Sequence, residues 1–382
     1  MKRFTNLITA RTLLIVVLGF LIVFPLGCSK KKPEAKEIRI GAISPFTGEG
    51  ANYGKAARTA IDLAVDEINK KGGINGRKLV VQYEDDKGNP KDALSAFNKL
   101  ATVDKVPAIL GPFYSTNVLA CAPVANRSKT VLLTGTATSD NIRDAGEYVF
   151  RVCPSNDEQA KTIAKFVFEN LGLRKSFIIY RNVDYGITLR DKFEKAFKAL
   201  GGTILGAEAV TPDTSDLRAQ LTKAKAVSAE LIYAAVHYPE GGALLRQAKE
   251  LGVSSVIVGT DGGYDPKLLE IAGEAAEGSY WVTIGWGDES SNPNIARFRK
   301  AYKEHYEEEP GVYSGLFYDA AHVLAKALAE AKAIDGPSLQ EALSNIVYEG
   351  PTGITKFDEF GDVEKPFAVY IVKSGQFVPV DF

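Results

Sequence analysis

Short apolar segments rich in Val and Ile alternate with longer segments of helical period along most of this chain. Residues 38–43 form the first predicted strand, and the helix that follows ends at Gly72-Gly73. Further strands are predicted at 78–83, 106–110, 130–134 and 149–152, with helices at 90–102 and 116–126. Because parallel neighbours need crossover connections, this order predicts a parallel sheet wrapped by helices. The buried face of the first helix is predicted to consist of Ala57, Ala60, Ile61, Ala64, Val65 and Ile68.

A second series of the same rhythm begins after residue 152. Its strands are predicted at 176–180, 203–210, 230–235 and 256–258, and its helices at 158–171, 186–200, 216–226 and 241–251. Three later helices, at 293–308, 314–330 and 338–345, precede strands at 367–372 and 376–380. These last pieces are too small to bury a third core, so we expect them to complete the two sheets. The chain must then cross several times between two α/β lobes, which makes a hinge.

The N-terminal segment is typical of an export signal. Residues 1–11 carry three basic side chains and no acid, and the apolar run over 13–26 is short for a membrane span. Pro25-Leu26-Gly27-Cys28 is similar to the lipobox of bacterial lipoproteins, in which the cysteine is acylated. We therefore predict a signal peptide and lipobox over 1–28, a tether over 29–37, and a lipid anchor at Cys28 that holds the protein in the periplasm or at the cell surface. Since Pro25 stands where a Leu is usual, an uncleaved anchor helix remains the alternative.

The composition limits the partners and the architecture. The 382 residues include 46 basic and 47 acidic ones, and removing residues 1–27 changes this balance to 43 against 47. A mildly acidic exported body of this length predicts two domains and no nucleic-acid partner. Besides Cys28, only Cys121 and Cys153 are present, which is too few for a disulfide scaffold. Whether these two pair stays open, although the apolar helical setting of Cys121 favours a buried thiol.

Several short segments, in this order and spacing, carry a resemblance to a known family. The segments are IGAISPFTG at 40–48, Glu67-Ile68-Asn69, GGING at 72–76, Gly111-Pro112 with Ser115, Thr136-Ala137-Thr138, Phe150-Arg151, Asp184-Tyr185-Gly186 and Tyr318-Asp319-Ala320. On these segments the chain resembles the periplasmic solute-binding proteins of ABC importers, in the branch that binds leucine, isoleucine and valine, from residue 38 to about residue 380.

The resemblance implies two doubly wound parallel-sheet lobes joined by a three-strand hinge, the type I periplasmic binding protein fold. We expect 38–153 with 284–352 in the first lobe and 154–283 with 353–382 in the second. It also implies that an amino acid, branched-chain or otherwise apolar, is captured between the lobes and delivered to ABC permease subunits. The expected partners are thus this ligand, the permease and, through Cys28, the membrane. The chain itself is expected to be a monomer.

Residues that follow strands are the first place to look for a ligand site, because ligands of open α/β sheets bind at the carboxyl ends of strands. Ser115 begins a helix, where it can cap the helix and where free N–H groups attract a carboxylate. Residues 134–139 are dense in hydroxyls, which is ordinary loop chemistry. Asp261 follows a strand beside two glycines, and position alone favours a turn residue.

The resemblance adds roles for individual residues. It implies that Thr136 and Thr138, with Ser115, contact the α-carboxylate and α-amino groups of the ligand. It also implies that Asp261 pairs with the ligand ammonium, a charge-assisted hydrogen bond in a closed cleft. Tyr53, Tyr185 and His237 match cleft-lining positions. Further aromatic residues that could form its walls are Tyr114, Tyr238, Tyr264, Trp281 and Trp286.

Two other classes of protein compete with this interpretation. A dinucleotide-dependent enzyme is suggested by residues 48–54, which follow a strand as a G-x-G-x-x-G loop does, but the last glycine is one residue late and Glu49 would oppose the pyrophosphate. The sequence contains neither G-x-S-x-G nor H-E-x-x-H, and its three histidines, at 237, 305 and 322, give no support for a metal site. We therefore expect neither an enzyme nor a cofactor. The other alternative is a module that senses an amide, an aromatic acid or an amino acid.

Overall fold

Parallel strands and crossover helices build the first part of the fold, as the sequence predicts. The computed structural model describes residues 37–48, 50–212, 214–285 and 292–382, so the predicted leader with Cys28, most of the tether and Trp286 lie outside the described residues. The elements are β1 (Glu37–Ser44), α1 (Ala51–Lys70), β2 (Lys78–Asp85), α2 (Pro90–Asn98), β3 (Ala108–Leu110), α3 (Ser115–Ser128), β4 (Val131–Thr134) and β5 (Val149–Arg151).

The second part repeats the same alternation and then ends in helices and strand pairs. Its first elements are α4 (Asn156–Lys165), β6 (Lys175–Arg181), α5 (Asp184–Ala199), β7 (Thr203–Val210), α6 (Arg218–Ala226), β8 (Leu231–Ala235), α7 (Tyr238–Glu250), β9 (Val256–Gly259), α8 (Pro266–Ala272) and β10 (Tyr280–Ile284). The last are α9 (Pro293–Tyr306), α10 (Val312–Glu330), α11 (Gly336–Ser344), β11 (Val347–Gly350), β12 (Gly353–Lys356), β13 (Phe367–Lys373) and β14 (Gln376–Val380).

Two large sheets organise these elements. The first sheet has the order β2-β1-β3-β4-β5 and its neighbours are all parallel. The second sheet has the order β14-β13-β10-β9-β8-β6-β7, in which β13 runs antiparallel to β10 and to β14. The prediction that the terminal strand pair completes a sheet is therefore confirmed. Residues 37–382 pack as one compact unit, and the lobe boundaries given above stay a prediction.

The sequence analysis missed four elements and the ends of two helices. The missed elements are α8, β10 and the antiparallel pair β11–β12. The helices predicted at 90–102 and 158–171 each end in a turn of π-helix, at Lys99–Val103 and Phe166–Asn170. Such turns have no strong sequence signal, because they arise where the packing of the helix end adds one residue to the turn.

Successive side chains along the strands of the first sheet point to opposite faces, so the sheet has a hydrophobic cluster on each face. On β1, Ile40 and Ala42 face the cluster that includes α1 and α10, whereas Ile43 faces the cluster formed with α2 and α3. Both faces are thus covered by helices, as expected for a parallel sheet. On α1, the predicted buried face is confirmed, with Ala57, Ala60, Ile61 and Ala64 buried and Val65 and Ile68 partly buried against the core.

The two body cysteines are buried and unpaired. Cys121 lies on α3 and Cys153 follows β5. Burial raises the pKa of both thiols, that of Cys153 to about 12, so neither is a reactive thiolate at neutral pH. Of the helices in the described ranges, none combines the length and hydropathy needed to cross a bilayer.

Trp281 on β10 occupies space left by glycines in the core of the second sheet. The indole is fully buried and its Nε1 donates to Ser279 Oγ at 2.9 Å. A Cβ atom on either Gly259 or Gly263 would overlap the indole ring. The glycines therefore serve close packing, and Trp281 is a core residue rather than part of a cleft wall.

Adding a single methyl group to one of these glycines should lower the stability of the protein. We expect Gly259→Ala to lower the free energy of unfolding by about 1–3 kcal/mol, because the added carbon overpacks the core against Trp281. Gly311→Ala is the matched control, since a Cβ at that position meets no atom within 4 Å. Urea unfolding of both variants measures the difference. Equal stability of the two variants would contradict the packing argument.

Candidate functional site

Both large sheets contain a point where the strand order reverses. This point lies between β1 and β3 in the first sheet and between β6 and β8 in the second. Crevices at such points are the usual ligand sites of open α/β sheets. Loops at the carboxyl ends of strands from both sheets line one cavity of about 430 Å³. Its lining includes Gly50, Phe113, Tyr114, Ser115, Asn117 and Thr136 from the first sheet's side, and Arg181, Tyr185, His237, Asp261 and Gly262 from the second's.

The N-terminus of α3 brings free hydrogen-bond donors to the cavity. Ser115 is the first helical residue and Tyr114 is the N-cap, without a side-chain cap bond, so the capping role considered for Ser115 is not observed. Ser115 Oγ accepts the Ser139 N–H at 3.1 Å and keeps its own proton to donate. Within the described residues, the backbone N–H groups of Ser115, Thr116 and Asn117 have no partner. Such a helix end attracts an anion.

The two threonines after β4 differ in their access to the cavity. Thr136 lines it, and its hydroxyl donates to the Phe113 carbonyl at 2.9 Å, which leaves its oxygen lone pairs as acceptors. Thr138 is buried outside the lining, and its carbonyl accepts the Asn156 N–H at 2.8 Å. Its hydroxyl has no hydrogen-bond partner in the described part of the chain. A ligand role for Thr138 stays a prediction.

Asp261 is a buried carboxylate that forms no ion pair with any described residue. Oδ1 accepts hydrogen bonds from Gln159 Nε2 and from the Tyr185 hydroxyl, both at 2.7 Å. No described residue forms an ion pair or a hydrogen bond with Oδ2. Burial raises the pKa of this carboxyl, and the two hydrogen bonds oppose the shift. The group is held in place but its charge is not compensated, so a cation that entered the cavity would be attracted to it.

Tyr185 and Gly262 fix the position of that carboxylate. The Tyr185 hydroxyl also accepts the Gly262 N–H at 2.9 Å. Burial raises the pKa of the Tyr185 phenol well above 10, so the phenol is a permanent donor to Asp261 at neutral pH. A Cβ on Gly262 would lie 2.7 Å from the Tyr185 hydroxyl and 2.6 Å from His237 Cδ2. The close approach of these side chains requires glycine at this position.

His237 is a neutral wall of the cavity. Its Nδ1 lies 2.8 Å from Arg181 Nη1, which can only donate, so Nδ1 is the acceptor and Nε2 carries the proton. Burial and the neighbouring guanidinium lower the pKa of this imidazole well below 6.5. The ring stacks on Tyr114, with centroids 5.1 Å apart. The predicted wall role of Tyr114 thus agrees with its place in the lining.

Tyr53 lies behind the lining and connects the two sides. From α1, its hydroxyl donates to the Gly262 carbonyl at 2.5 Å and accepts the Tyr238 N–H at 3.3 Å. Its ring stacks on Phe113, with centroids 4.6 Å apart. Tyr264 packs instead against Tyr370 and Phe377 of the terminal strand pair. Direct contact of Tyr53 with a ligand stays a prediction.

Polar contacts join the first sheet's loops to those of the second. Asn52 Nδ2 lies 2.8 and 2.9 Å from the two carboxylate oxygens of Asp265. Thr116 Oγ1 donates to Asp184 Oδ2 at 3.2 Å. The Tyr313 hydroxyl of α10 donates to the Asp261 carbonyl. The structure is therefore a closed arrangement of the two sheets around the cavity.

Two residues of the site were missed by sequence reasoning. Gln159 lies inside α4, and the helical period of that segment predicts only that the residue is buried. Arg181 is the last residue of β6, one position before the loop in which ligand residues were sought. The sequence did contain a signal for Arg181, because a charged residue at the end of an apolar strand is unusual. Gln159 had no such signal, because its contact with Asp261 joins positions 102 residues apart.

A second buried carboxyl, Asp86, supports the rim of the cavity. Its Oδ2 accepts from Asn117 Nδ2 and its Oδ1 from the Gly88 N–H, both at 2.9 Å. Asn117 and Gly88 line the cavity. Burial raises the pKa of Asp86 to about 6. This carboxyl therefore titrates close to the physiological range.

Comparison with known proteins identifies the class of this fold. A family model described as periplasmic binding protein matches residues 37–376. The chain therefore belongs to the periplasmic binding protein family, which implies a place outside the cytoplasm. It is 31% identical to the Leu/Ile/Val-binding protein BraC3 of Rhizobium johnstonii, over 90% of this chain and 94% of that protein. It is 29% identical to the leucine-, isoleucine-, valine-, threonine- and alanine-binding protein of Pseudomonas aeruginosa, over 90% and 92%.

Solved structures agree with this membership. The leucine-binding protein LivK of Thermotoga maritima matches with a TM-score of 0.84 and 30% identity, over 90% of this chain and 98% of that one. The substrate-binding protein LivJ of a Streptococcus pneumoniae branched-chain amino acid transporter, solved with isoleucine, matches with a TM-score of 0.84 and 30% identity, over 90% and 99%. The predicted type I periplasmic binding protein fold is thereby confirmed.

The raised pKa of Asp86 predicts a pH-dependent effect of Asp86→Asn. A carboxyl that binds its proton more tightly in the folded state contributes stability fully below about pH 4, and this contribution is lost as the pH rises through about 6. Since an amide does not titrate, the free energy of unfolding of the variant minus that of the parent should increase by about 2–3 kcal/mol between about pH 4 and about pH 7. Urea unfolding at both pH values measures it. The exposed Asp104→Asn is the control, and a pH-independent difference for Asp86→Asn would contradict the shift.

Proposed function

We propose that this protein binds an amino acid in the cavity between its two sheets and delivers it to the permease of an ABC importer. The observation that carries the proposal is Asp261, a buried carboxylate that lines the same cavity as the free N–H groups of α3. An acid without a cation on one side and an anion-attracting helix end on the other are complementary to a zwitterion. No chemical step is needed for this role.

The energetics favour an ammonium group at Asp261. A buried charge without a partner is unfavourable, and an ammonium that donates to Oδ2 would remove that cost. Hydrogen bonds between charged groups contribute about 1.5–3 kcal/mol net. On the opposite side, the ligand carboxylate would accept from the Ser115 hydroxyl and the N-terminal N–H groups of α3. Thr136, whose hydroxyl proton is used by the Phe113 carbonyl, would accept from the ammonium through its lone pairs.

Binding and closure are coupled in this proposal. Asp261 belongs to the second sheet's loops and Ser115 to the first's, so a ligand that contacts both stabilises the closed arrangement. The contact of Asn52 with Asp265, outside the cavity, and that of Thr116 with Asp184, at the cavity lining, add to it. A ligand shifts such an equilibrium only as far as its affinity differs between the open and closed forms. The closed form is then the one we expect the permease to recognise.

The relatives support the class of ligand and the partner. BraC3 and the Pseudomonas protein are named for the amino acids they bind, and the LivJ structure was solved with isoleucine. We extend an amino acid ligand and an ABC permease to this chain on that basis. Lipid attachment through Cys28 and a monomeric state complete the proposal. They rest on the sequence alone.

Replacing Asp261, the one acid among the described residues that line the cavity, should weaken ligand binding while leaving the fold intact. We expect Asp261→Asn to bind amino acids at least about tenfold more weakly, because the charge opposite the ammonium is lost. Thermal shift with a panel of amino acids measures the loss. For the parent protein, ligand at about a hundred times its Kd should add about 2.7 kcal/mol of stability.

The control for this experiment separates binding from folding. Without ligand, Asp261→Asn should be at least as stable as the parent, because a buried unpaired charge has been removed. The surface substitution Asp104→Asn should change neither property. Full retention of the amino acid response in Asp261→Asn would contradict the proposal, and so would a response to benzoate-like acids that lack an ammonium.

A contact outside the cavity should also affect affinity if closure is coupled to binding. We expect Asn52→Ala to weaken amino acid binding about fivefold to twentyfold, because the closed arrangement loses its contact with Asp265. Isothermal titration measures the Kd. The control is Asn98→Ala, since Asn98 Nδ2 bonds only to the Leu94 carbonyl of its own helix, at 2.9 Å. Identical affinities of Asn52→Ala and the parent would separate closure from binding.

A further inference from the structure

Arg181 is a buried cation in the lining of the cavity, at the end of β6. It is 8% exposed and lies at the switch point of the second sheet, next to His237. Both of its hydrogen bonds use the same nitrogen, Nη1, which lies 2.8 Å from Glu240 Oε1 and 2.8 Å from His237 Nδ1. These two contacts use both protons of Nη1. The other two nitrogens of the guanidinium, Nε and Nη2, take no part in these contacts.

Three donors of this guanidinium are unused. An arginine has five N–H donors, of which Nε carries one and Nη2 carries two. Neither Nε nor Nη2 has a hydrogen-bond partner among the described residues. Buried donors are almost always paired, because an unmet donor loses its bonds to water without replacement. Nε and Nη2 of Arg181 are not fully enclosed, so water in the cavity can reach them, and a ligand that displaced this water would have to offer acceptors in its place.

A second buried arginine in the same chain shows what a purely structural role looks like. Arg151 binds Asp362 through two parallel bonds, from Nε at 2.7 Å and from Nη2 at 2.8 Å, and its Nη1 donates to the Ser139 carbonyl at 2.9 Å. All three of its nitrogens are used, in the bidentate geometry that suits a carboxylate. At Arg181 the corresponding edge, Nε and Nη2, is the one left without a partner. It is the edge best suited to a planar acceptor on a ligand.

The cavity has room for such an acceptor. Its volume of about 430 Å³ is within the usual range for small-molecule sites. The zwitterion proposed above occupies Asp261 and the N-terminus of α3, which leaves Arg181 for the rest of the ligand. An aliphatic side chain there would bury the three donors without pairing them.

We propose that Arg181 determines specificity by binding a terminal carbonyl or carboxylate oxygen on the side chain of the amino acid. This inference rests on the proposed function and narrows it, away from the purely aliphatic ligand that the sequence resemblance favours. A carboxamide and a carboxylate share the required planar oxygen, and the test separates them. Arg181 would act on the ligand through Nε and Nη2, while Nη1 keeps it attached to Glu240 and His237.

Isosteric ligands test the inference on the parent protein. Leucine, asparagine and aspartate have the same branched skeleton and differ in the terminal atoms, and glutamine and glutamate extend the acceptor by one carbon. We expect at least one acceptor-bearing amino acid to bind at least about tenfold more tightly than leucine, as measured by titration calorimetry. The amide and acid members show which of the two groups is preferred. Leucine binding as tightly as all four acceptor-bearing ligands would overturn the inference.

A paired substitution tests the residue itself. Removing Arg181 alone would take away the guanidinium that bonds to the buried carboxylate of Glu240, so Arg181→Met is combined with Glu240→Gln. We expect this double variant to lose about tenfold to a hundredfold in affinity for the preferred acceptor-bearing ligand, while its affinity for leucine stays within about threefold. The preference between ligands is the readout, since a structural role would weaken all of them alike. Equal losses for every ligand would overturn the inference.

Two further results complete the test. Arg181→Lys keeps the charge but not the planar edge, and it should lose most of the preference for the acceptor-bearing ligand. Failure of the proposed function would be a different result, in which no amino acid of the panel raises the melting temperature of the parent protein. The inference about Arg181 would fall with it. Amino acid binding without an Arg181-dependent preference overturns the inference alone.

Discussion

The parallel arrangement of strands is the constraint on which the site depends. Every crossover returns the chain to the same end of the sheet, so the carboxyl ends of all parallel strands meet at one edge. In this protein two such edges face each other, and their loops form one cavity. Residues as distant in sequence as Ser115 and Asp261 line one cavity for this reason. Helices on both faces of the sheets hold these edges in place.

Two charged groups in the cavity are incompletely satisfied by the protein itself. Among the described residues, Asp261 is fixed by Gln159 and Tyr185 but has no cation, and Arg181 is fixed by Glu240 and His237 but keeps three donors without a partner. In a core that served only stability, both groups would be costly. By contrast, the buried charges of Arg151 and Asp362 satisfy each other through two parallel hydrogen bonds. The polar groups left over in the cavity therefore describe the shape and charge of a ligand.

Much of the fold and part of the site could be predicted from the sequence. The alternation of periods predicted both βα series. The rule that ligands bind after strands pointed to the loops of Ser115, Thr136 and Asp261, and the family resemblance gave these residues ligand roles; all three line the cavity. The small pair β11–β12 and the strand β10 were missed, because short strands are stabilised by partners far away in sequence. Gln159 was missed for the same reason. Thr138 is close to Thr136 in sequence but is buried outside the cavity lining, because neighbouring residues of a loop need not face the same side.

The sequence by itself determined the α/β class, the doubled series of strands and the family, because these depend on local periodicity and on short motifs in a fixed order. Only the tertiary structure decided which side chains face the cavity and which of their atoms remain unpaired. Asp261 was already visible as an acid at a strand end, but the absence of a cation beside it is a property of packing. The unused edge of Arg181 is likewise invisible in the sequence, since the two residues that bond to its Nη1, His237 and Glu240, lie at the start of α7, more than fifty residues away.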